Sequence, residues 1–343
     1  MATTAQSLSV GTRRESHMLR GWPSLAMTVI VFFAALYSFS PRPMPPFAAT
    51  EVHPGDILVS GLARSGQRLI AAGEQGHILY ADSVDGPWGE AHVEPQRGSA
   101  FTQVRFIGDR TAIAVGHDGW IVRSQDNGQT WTEVNFGGDP PDPLLGVAGP
   151  YQGKLFAFGG FGRYMVSTDL GKTWTEERHE VLGDHHLNGM TRLADGSLML
   201  VGERGLIARS ADNGETWTTD EPIYAGSFFG VLNLPNKDVL VYGMRGHAFY
   251  SSDFGRTWTE SKVPDQDSLF GGTVDDDGNV VLVGAANAIM RSTDNGRSFE
   301  VVSESSRNGL TDLIALKQGG WMTAGEGGLS IQQPRAPAAA EVH

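Results

Sequence analysis

The stretch SADNGETW, Ser210–Trp217, combines a hydroxyl, a carboxylate, a glycine and an aromatic residue within eight positions. The pattern S-x-D-x-G-x-[TS]-[WF], which we term the box, occurs five times, beginning at Ser124, Ser167, Ser210, Ser251 and Ser292. The intervals between these serines are 43, 43, 41 and 41 residues. A fixed period of this length is typical of repeat proteins, in which each repeat is one supersecondary unit.

A second motif extends the repeat in both directions. Eight residues before each box serine stands a glycine that usually opens G-x-x-G, and two further copies of this motif have no box. The seven glycines are Gly73, Gly116, Gly159, Gly202, Gly243, Gly284 and Gly325. Fifteen residues before each glycine lies a large apolar residue: Leu58, Phe101, Leu144, Leu187, Phe228, Leu269 and Leu310. A glycine and an apolar residue that recur together seven times at this spacing predict seven copies of one structural unit.

Each unit has the composition of four short strands. In the second unit, the segments FTQVRFI, TAIAVG, WIVRSQ and QTWTEVN are separated by turns rich in glycine, aspartate and asparagine. Such runs are strand and hairpin signals. Units of about 40 residues with four strands are typical of β-propeller blades. The sequence therefore predicts an all-β, seven-bladed β-propeller, with almost no helix after residue 50.

The box is predicted to be structural. It falls at the turn between the third and fourth strands. There an aspartate can accept hydrogen bonds from backbone N–H groups, and a glycine allows a positive φ. The aromatic residue can then pack into the blade. A catalytic group has no reason to recur in five blades. The structural residues predicted in this way are Asp126, Trp131, Asp169, Trp174, Asp212, Trp217, Asp253, Trp258, Asp294 and Phe299.

The repeats also carry a family resemblance. The boxes resemble the Asp-box, or BNR, repeats of bacterial sialidases. The whole period, GxxGxIxRS joined to xDxGxTW, is similar to the photosystem II stability and assembly factor family, over roughly residues 50–332. That resemblance implies an assembly factor for a membrane protein complex. In a photosynthetic host the client is photosystem II, whereas other bacterial relatives accompany exporters of the resistance-nodulation-division type. The chain lacks the lipid-modified cysteine of the cyanobacterial members, which favours the second setting.

The N-terminal region predicts a membrane anchor. Twenty-one residues without a charge lie between Arg20 and Arg42, which is long enough to span a bilayer. More arginines precede this segment than follow it, so the N-terminus is expected in the cytoplasm and the propeller in the periplasm, on the inner membrane. A cleaved signal peptide is the alternative. The predicted organisation is a cytoplasmic segment 1–20, a transmembrane signal anchor 21–40, a proline-rich spacer 41–46, the propeller 47–333 and a disordered tail 334–343.

The seventh unit ends near Gln333 and lacks a fourth strand. An uncovered strand edge invites aggregation, so a propeller has to cover it. The segment FAATEVH, residues 47–53, precedes the first unit and is predicted to supply the missing strand. The ring would then close by joining both ends of the domain in one blade.

Composition excludes several kinds of site. The net charge of −13 argues against nucleic acid as a partner, and the absence of cysteine excludes disulfides and thiolate chemistry. Neighbouring side chains of the segment DHH, residues 184–186, point to opposite faces of an extended strand, which disfavours a metal site there. The segment VDDDG, residues 274–278, lacks the alternating ligands of a calcium loop and predicts a hairpin turn. No metal or cofactor is expected.

The alternative function is a sialidase-like glycosidase, or a propeller that binds glycans or other polymers. A sialidase needs converging arginines, an activated tyrosine and acidic residues on the channel face. No such set stands out, and the tyrosines lack an obvious glutamate partner. The sequence therefore favours a protein that is not an enzyme and that binds an integral membrane protein complex.

The partner-binding surface is predicted on the channel face, the end of the ring that carries the G-x-x-G turns and the approaches to the first strands. There the glycines recur while the residues between them vary, which is typical of an interface. The candidate partner-binding residues are Glu74, Gln75, His117, Asp118, Phe161, His185, His186, Glu203, Arg204, Met244, Arg245 and Glu326. The approach segments add Asp56, Asp142 and Asp267. The bland alternative is that these residues form ordinary polar turns.

Overall fold

The computed structural model describes residues 22–39, 52–303, 306–317 and 319–333. The chain forms two compact units, residues 1–50 and residues 51–343. The first contains one helix, α1 (Trp22–Phe39). At 1.5 Å per residue its 18 residues span about 27 Å, close to the hydrocarbon thickness of a bilayer. It is long and apolar enough to cross a membrane, a property that membrane anchors share with signal sequences.

The second unit is a seven-bladed β-propeller, as predicted, and six blades contain four consecutive antiparallel strands. Blade 1 consists of β1 (Val59–Ser65), β2 (Arg68–Gly73), β3 (Ile78–Ala81) and β4 (Gly89–Glu90). After β5 (His92–Glu94), blade 2 consists of β6 (Phe101–Phe106), β7 (Ala112–Gly116), β8 (Ile121–Ser124) and β9 (Thr130–Asn135). Blade 3 consists of β10 (Leu144–Tyr151), β11 (Lys154–Gly159), β12 (Tyr164–Ser167) and β13 (Thr175–Glu176).

The later blades repeat this arrangement. Blade 4 consists of β14 (Leu187–Arg192), β15 (Leu198–Gly202), β16 (Ile207–Ser210) and β17 (Thr218–Thr219). Blade 5 consists of β18 (Phe228–Asn233), β19 (Val239–Gly243), β20 (Ala248–Ser251) and β21 (Thr259–Glu260). Blade 6 consists of β22 (Leu269–Val274), β23 (Val280–Gly284), β24 (Ile289–Ser292) and β25 (Glu300–Val301). Blade 7 consists of β26 (Leu310–Ala315), β27 (Trp321–Gly325) and β28 (Gly328–Gln332).

Helical structure in the described part of the ring is limited to single 3₁₀ turns. Six of them are the G-x-x-G turns between second and third strands, and a seventh precedes blade 4. The segments are Glu74–Gly76, His117–Gly119, Gly160–Gly162, Glu180–Leu182, Glu203–Gly205, Met244–Gly246 and Ala285–Asn287.

The hydrophobic cores lie between the blades. The second strand of a blade is buried on both faces, and β23 accordingly reads as an unbroken apolar run. Each of seven clusters of buried residues combines side chains from two neighbouring blades, such as Ile70 of blade 1 with Trp131 of blade 2. Because a blade shares its apolar faces with both neighbours, the stable unit is the array rather than the blade.

Blades 7 and 1 close the ring. Leu69 of blade 1 and Met322 of blade 7 belong to one core cluster, and the Thr311 hydroxyl donates a hydrogen bond to the Val59 carbonyl over 2.7 Å. The described part of blade 7 has three strands. The strand predicted at residues 47–53 falls mostly outside the described residues. Its described part, residues 52–53, is not in a strand.

Two local features differ from the sequence prediction. In blade 1 the buried residue that pairs with Gly73 is Val59 rather than Leu58, because this hairpin is one residue shorter than the others. The second feature is β5, which pairs in parallel with β9 as a fifth strand of blade 2. This strand covers the outer edge of the blade, where unpaired N–H and C=O groups would otherwise face solvent.

Candidate functional site

Backbone hydrogen bonds place the G-x-x-G turns beside the approaches to the first strands. We term the two middle residues of each turn X1 and X2. In every blade, the X1 N–H donates to the carbonyl of the residue just before the first buried residue of the blade, over 2.9–3.1 Å. Glu74 N pairs in this way with Leu58 O, and Glu203 N with His186 O. The predicted channel face is therefore one continuous end of the ring.

Three of the candidate partner-binding residues are structural. The carboxylates of Glu74 and Glu326 accept the backbone N–H groups of Leu58 and Gly309, over 3.0 and 3.1 Å. Glu203 makes the equivalent bond to the N–H of the residue before Leu187, over 3.3 Å. Each X1 glutamate thus caps the chain where it enters the first strand of its own blade.

The X2 residues are held in the left-handed region of backbone conformation. Their φ values lie between 54° and 56° at Gln75, Asp118, Phe161, Arg204, Arg245 and Ala286. This region disfavours any residue with a Cβ atom, and glycine would occupy it without strain. Blade 7 has a glycine at X2, Gly327, and its φ does not lie in the left-handed region. The other six blades have a residue with a side chain at X2, although the backbone conformation there would favour glycine.

The X2 side chains differ in exposure and contacts. Phe161 is 60% exposed, and the Arg204 side chain is 68% exposed. Arg245 is also exposed. Asp118, by contrast, accepts a hydrogen bond from the Ser99 hydroxyl over 2.5 Å. The X2 residues of blades 3, 4 and 5 are therefore the most accessible cationic and aromatic members of the set.

Two further exposed apolar side chains lie in the approach segments on the same face. Val181 and Ile223, in the approaches to blades 4 and 5, are 42% and 39% exposed. Together with Phe161, Arg204 and Arg245 they form what we term the blade 3–5 patch. The sequence prediction missed the two aliphatic residues because they lie in approach segments that have no repeated motif.

The remaining predicted residues surround the patch or lie away from it. The His186 ring packs edge-on against Phe161, with 5.0 Å between ring centres. His185 lines a 280 Å³ depression together with Arg204 and Val181. Met244 is half-buried, and its carbonyl accepts a hydrogen bond from the Tyr224 hydroxyl. The other predicted residues, in blades 1, 2 and 7, are Glu74, Gln75, His117, Asp118 and Glu326, and the structure does not bring them together with the patch.

The five boxes lie at the opposite end of the ring, the box face, and share one set of hydrogen bonds. The serine hydroxyl donates to the aspartate over 2.7–2.8 Å and accepts the glycine N–H over 2.8–2.9 Å. The aspartate accepts the N–H of the following Thr or Ser over 2.8–3.0 Å and its hydroxyl over 2.5–2.7 Å. The aspartate carboxylate therefore makes its hydrogen bonds within its own turn.

The titration of the box carboxylates follows from these bonds. The hydroxyl and N–H of Thr216 hold the pKa of Asp212 at about 2. Asp169 is lowered in pKa for the same reason, by Thr173. Carboxylates with such low pKa values are poor general acids or bases near neutral pH.

The aromatic residues of the boxes differ in burial. Trp131 is 1% exposed and donates from Nε1 to the Gly128 carbonyl over 3.0 Å. Trp217 and Phe299 are also buried, whereas Trp174 and Trp258 are half-buried. All five box glycines pack against a second-strand side chain of the preceding blade, as Gly128 does against Ile70. The box therefore contributes to the contact between blades as well as to its own turn.

The two segments considered for metal ions do not form such sites. Among residues 22–39, 52–303, 306–317 and 319–333, no group of three or more His, Asp or Glu residues is placed to hold a metal ion. The Asp275 carboxylate accepts the N–H groups of Asp277 and Asn279, which makes the VDDDG segment a hairpin turn.

The central channel forms a cavity of about 530 Å³ that is lined by the first strands of all seven blades. Some side chains of the cavity wall form hydrogen bonds with the first strand of the next blade. The second residue of the first strand donates to the next blade at Thr102, Asn188 and Thr311. In blades 5 and 6 the same position holds Phe229 and Phe270, whose ring centres are 5.4 Å apart.

Two polar side chains link neighbouring first strands within the channel wall. Gln103 Oε1 accepts the Val147 N–H over 2.7 Å, and Asp312 Oδ2 accepts the Leu62 N–H over 2.8 Å. Burial raises the pKa of Asp312 to about 6, although its backbone donors favour the ionised form. The equivalent contacts join blade 2 to blade 3 and blade 7 to blade 1.

Comparison with known proteins supports the fold. No family model matches the chain, and no curated protein matches it. A solved structure of YCF48 bound to a D1 peptide has 14% identity and a TM-score of 0.66, and the match covers 86% of this chain and 97% of that one. YCF48 from Cyanidioschyzon merolae has 15% identity and a TM-score of 0.66, covering 83% and 98%. A streptogramin B lyase has 15% identity and a TM-score of 0.69, covering 82% and 96%. At these identities the likeness shows the fold alone.

Proposed function

We propose that the chain is a non-catalytic, membrane-anchored scaffold whose propeller binds a membrane protein complex through the blade 3–5 patch. The observation that carries this proposal is the unequal distribution of exposed apolar side chains in the described ring. Five of the eight, Phe136, Phe161, Val181, Ile223 and Phe270, lie on the channel face or at its mouth, whereas Leu170 lies in a box turn and Val301 and Ile331 lie in the outermost described strands of blades 6 and 7. Exposed apolar residues among charged ones are typical of protein interfaces.

Two arginines provide specific anchors within the patch. Arg204 and Arg245 occupy X2 of adjacent blades, and both are held in a backbone conformation that favours glycine. Arginine is enriched at interface hot spots, where its planar group can pair with a carboxylate. The patch therefore fits a partner segment that combines acidic residues with an apolar anchor.

The proposed setting is the inner membrane with the propeller in the periplasm. Helix α1 has the length and composition of a membrane span, and the arginines before it favour a cytoplasmic N-terminus. The repeats resemble those of the photosystem II assembly factors, and YCF48 bound to a D1 peptide is a precedent for peptide binding by a propeller of this shape. The proposed client is an exporter of the resistance-nodulation-division type, or photosystem II in a photosynthetic host.

A tyrosine nucleophile of the sialidase kind has little support in the channel. Among the described residues that line the cavity, Tyr242 is the one tyrosine. Burial raises its pKa above the ordinary value, and the charge of Asp312 acts in the same direction. A nucleophilic tyrosine would need the opposite shift.

The proposal is tested by affinity capture with the full-length, tagged chain. Detergent-solubilised membranes are bound to the tag, and the captured proteins are identified by mass spectrometry. An integral membrane complex should be enriched by the unaltered chain. The double variant Arg204→Glu, Arg245→Glu should reduce its capture at least tenfold, which corresponds to about 1.4 kcal/mol.

The matched control is the double variant Lys172→Glu, Arg256→Glu, which makes the same charge change in two exposed box turns. Both double variants should unfold at the same temperature as the unaltered protein. If the control loses capture while the Arg204/Arg245 variant retains it, the client binds the box face and the proposed surface is wrong.

A further inference from the structure

Among the described residues that line the channel cavity, one cation has no partner. Arg105, the fifth residue of β6, lines the cavity and is exposed, and it makes no hydrogen bond or ion pair with any residue that the structure describes. The neighbouring residues Thr102 and Gln103 are both bonded to blade 3. An arginine that faces a cavity and has no hydrogen bond or ion pair of its own can bind an anion, since its planar group can donate two parallel hydrogen bonds.

An aromatic wall faces this arginine across the channel. Phe229 and Phe270 lie in blades 5 and 6, on the far side of the ring from blade 2. Phe270 is 40% exposed, and its ring packs against that of Phe229 instead of bonding to the next blade as Thr102 does. An aromatic pair open to a water-filled channel is unfavourable unless something apolar covers it.

The two features are spaced along the channel axis. Thr102 occupies the same strand position as Phe229 and Phe270, and Arg105 lies three residues further along β6. Three residues of strand correspond to about 10 Å. A ligand whose apolar end lies at the mouth can therefore place an anionic group deeper in the channel.

We propose that the central channel binds a small organic anion with an aromatic body, such as an aromatic carboxylate, with Arg105 holding the anionic group and Phe229 and Phe270 covering the ring. The cavity volume of about 530 Å³ lies within the range of small-molecule sites, roughly 300–1,000 Å³. This proposal does not depend on a protein client, because it uses residues inside the channel rather than the blade 3–5 patch.

Besides Arg105 and the buried Tyr242, two ionisable side chains line the cavity, Asp312 and His186, and they define the selectivity expected of the site. Both oxygens of the Asp312 carboxylate already accept backbone N–H groups, from Leu62 and Leu313. His186 lies at the mouth, where it contacts Phe161. Neither residue offers a second cation deep in the channel, so a monoanion fits the site better than a dianion.

The test uses the full chain in phosphatidylcholine nanodiscs and two fluorine-labelled probes, fluorophenylbutanoate and its uncharged amide. Fluorine NMR titration gives the dissociation constant of each probe after subtraction of empty nanodiscs. The carboxylate should bind at least tenfold more tightly than the amide. Arg105→Gln should abolish this preference, and Phe270→Ala should weaken both probes.

The controls are Arg110→Gln, in the exposed β6–β7 turn of the same blade, and Val301→Ala, an exposed residue of an outer strand. Both should leave the two dissociation constants unchanged. The proposal is overturned if the carboxylate does not bind, if the amide binds equally well, or if Arg105→Gln preserves the preference. Because Arg105 and Phe270 are exposed, the variants should keep the unfolding temperature of the unaltered chain, which separates loss of binding from loss of fold.

Discussion

The two ends of the ring use turn residues for opposite purposes. On the box face, five turns repeat the same side chains and the same hydrogen bonds, within 2.5–3.0 Å. On the channel face, the glycines repeat, but six residue types occupy X2 in the seven blades, while its φ stays between 54° and 56° in six of them. Repetition thus marks the residues that bond to the backbone, and variation at a fixed conformation marks the residues that remain available to a partner.

The largest effect is expected on the box face. Replacing Trp131 by alanine removes a ring that is 1% exposed and leaves a cavity between blades 1 and 2. The free energy of unfolding should fall by about 3–5 kcal/mol, as measured by denaturant titration. Trp258→Ala, at a half-buried box position, should cost less. Loss of client capture at an unchanged unfolding free energy would show that the box face is functional.

A smaller loss is expected for the carboxylate of a box. Asp253→Ala leaves the N–H groups of Arg256 and Thr257 without their acceptor, which should lower the free energy of unfolding by about 1–3 kcal/mol. Partial burial acts to raise the pKa of Asp253, but hydrogen bonds from Thr257 outweigh it and hold the pKa at about 2. The stabilisation is therefore present above about pH 4 and lost as the pH falls towards 2.

The pH dependence distinguishes this role from a general packing effect. Unfolding measured between pH 2 and 5 should show a smaller slope in Asp253→Ala than in the unaltered protein. Asp265→Ala, in an exposed loop, is the matched control and should keep the full slope. Equal slopes in all three proteins would contradict the proposed carboxylate role.

The channel wall between the two faces provides a test with the opposite sign. The pKa of Asp312 is raised to about 6, so its ionisation should destabilise the fold as the pH rises from about 4 to 6. Asp312→Asn keeps an oxygen for the Leu62 N–H but loses the acceptor of the Leu313 N–H, so the measurable change is in pH dependence: the variant should not lose stability between pH 4 and 7 as the unaltered protein does. Gln103→Glu introduces a carboxyl group at the equivalent position and should have the reverse effect. Thermal unfolding at pH 4 and 7 measures both, and the prediction fails if the two variants shift in the same direction.

The smallest effect on stability is expected at X2. Arg204→Gly removes the strain of a left-handed residue that has a Cβ atom, but it increases the conformational entropy of the unfolded chain. The net change in the free energy of unfolding should therefore lie within about 1 kcal/mol of zero. Client capture should nevertheless decrease. Glu74→Ala, at X1, should show the opposite pattern, because it removes the acceptor of the Leu58 N–H without altering the blade 3–5 patch. Circular dichroism melting and affinity capture of the same samples distinguish the two positions.

The architecture could be predicted from the sequence because it depends on repeated contacts. The box and the G-x-x-G turn recur since every blade needs the same backbone bonds, and their spacing fixes the number of blades. The fifth strand β5 could not be predicted in this way, because a single pairing with β9 has no second copy in the sequence. The predicted register of blade 1 was wrong for a related reason, because one shortened hairpin moves the buried position from Leu58 to Val59.

The candidate site was less predictable because it depends on what does not repeat. The variable turn residues could be recognised from the sequence. The sequence did not show that Glu74, Glu203 and Glu326 accept hydrogen bonds from the backbone. Phe229 and Phe270 were missed as channel residues, although they share the strand position of Thr102 in the repeat. Aligning the repeats by this position would have identified the aromatic wall.

Closure of the ring between blades 7 and 1 also means that blade 1 is synthesised long before the blade it packs against. The hydrogen bond from Leu62 to Asp312 joins residues that are 250 positions apart. At a translation rate of roughly 5–20 residues per second, the first blade is made about 12–50 s before its partner emerges from the ribosome. During that interval the apolar face of Leu69 and Ala71 has no neighbour to pack against. The nascent chain therefore exposes this apolar face until its last blade has been synthesised.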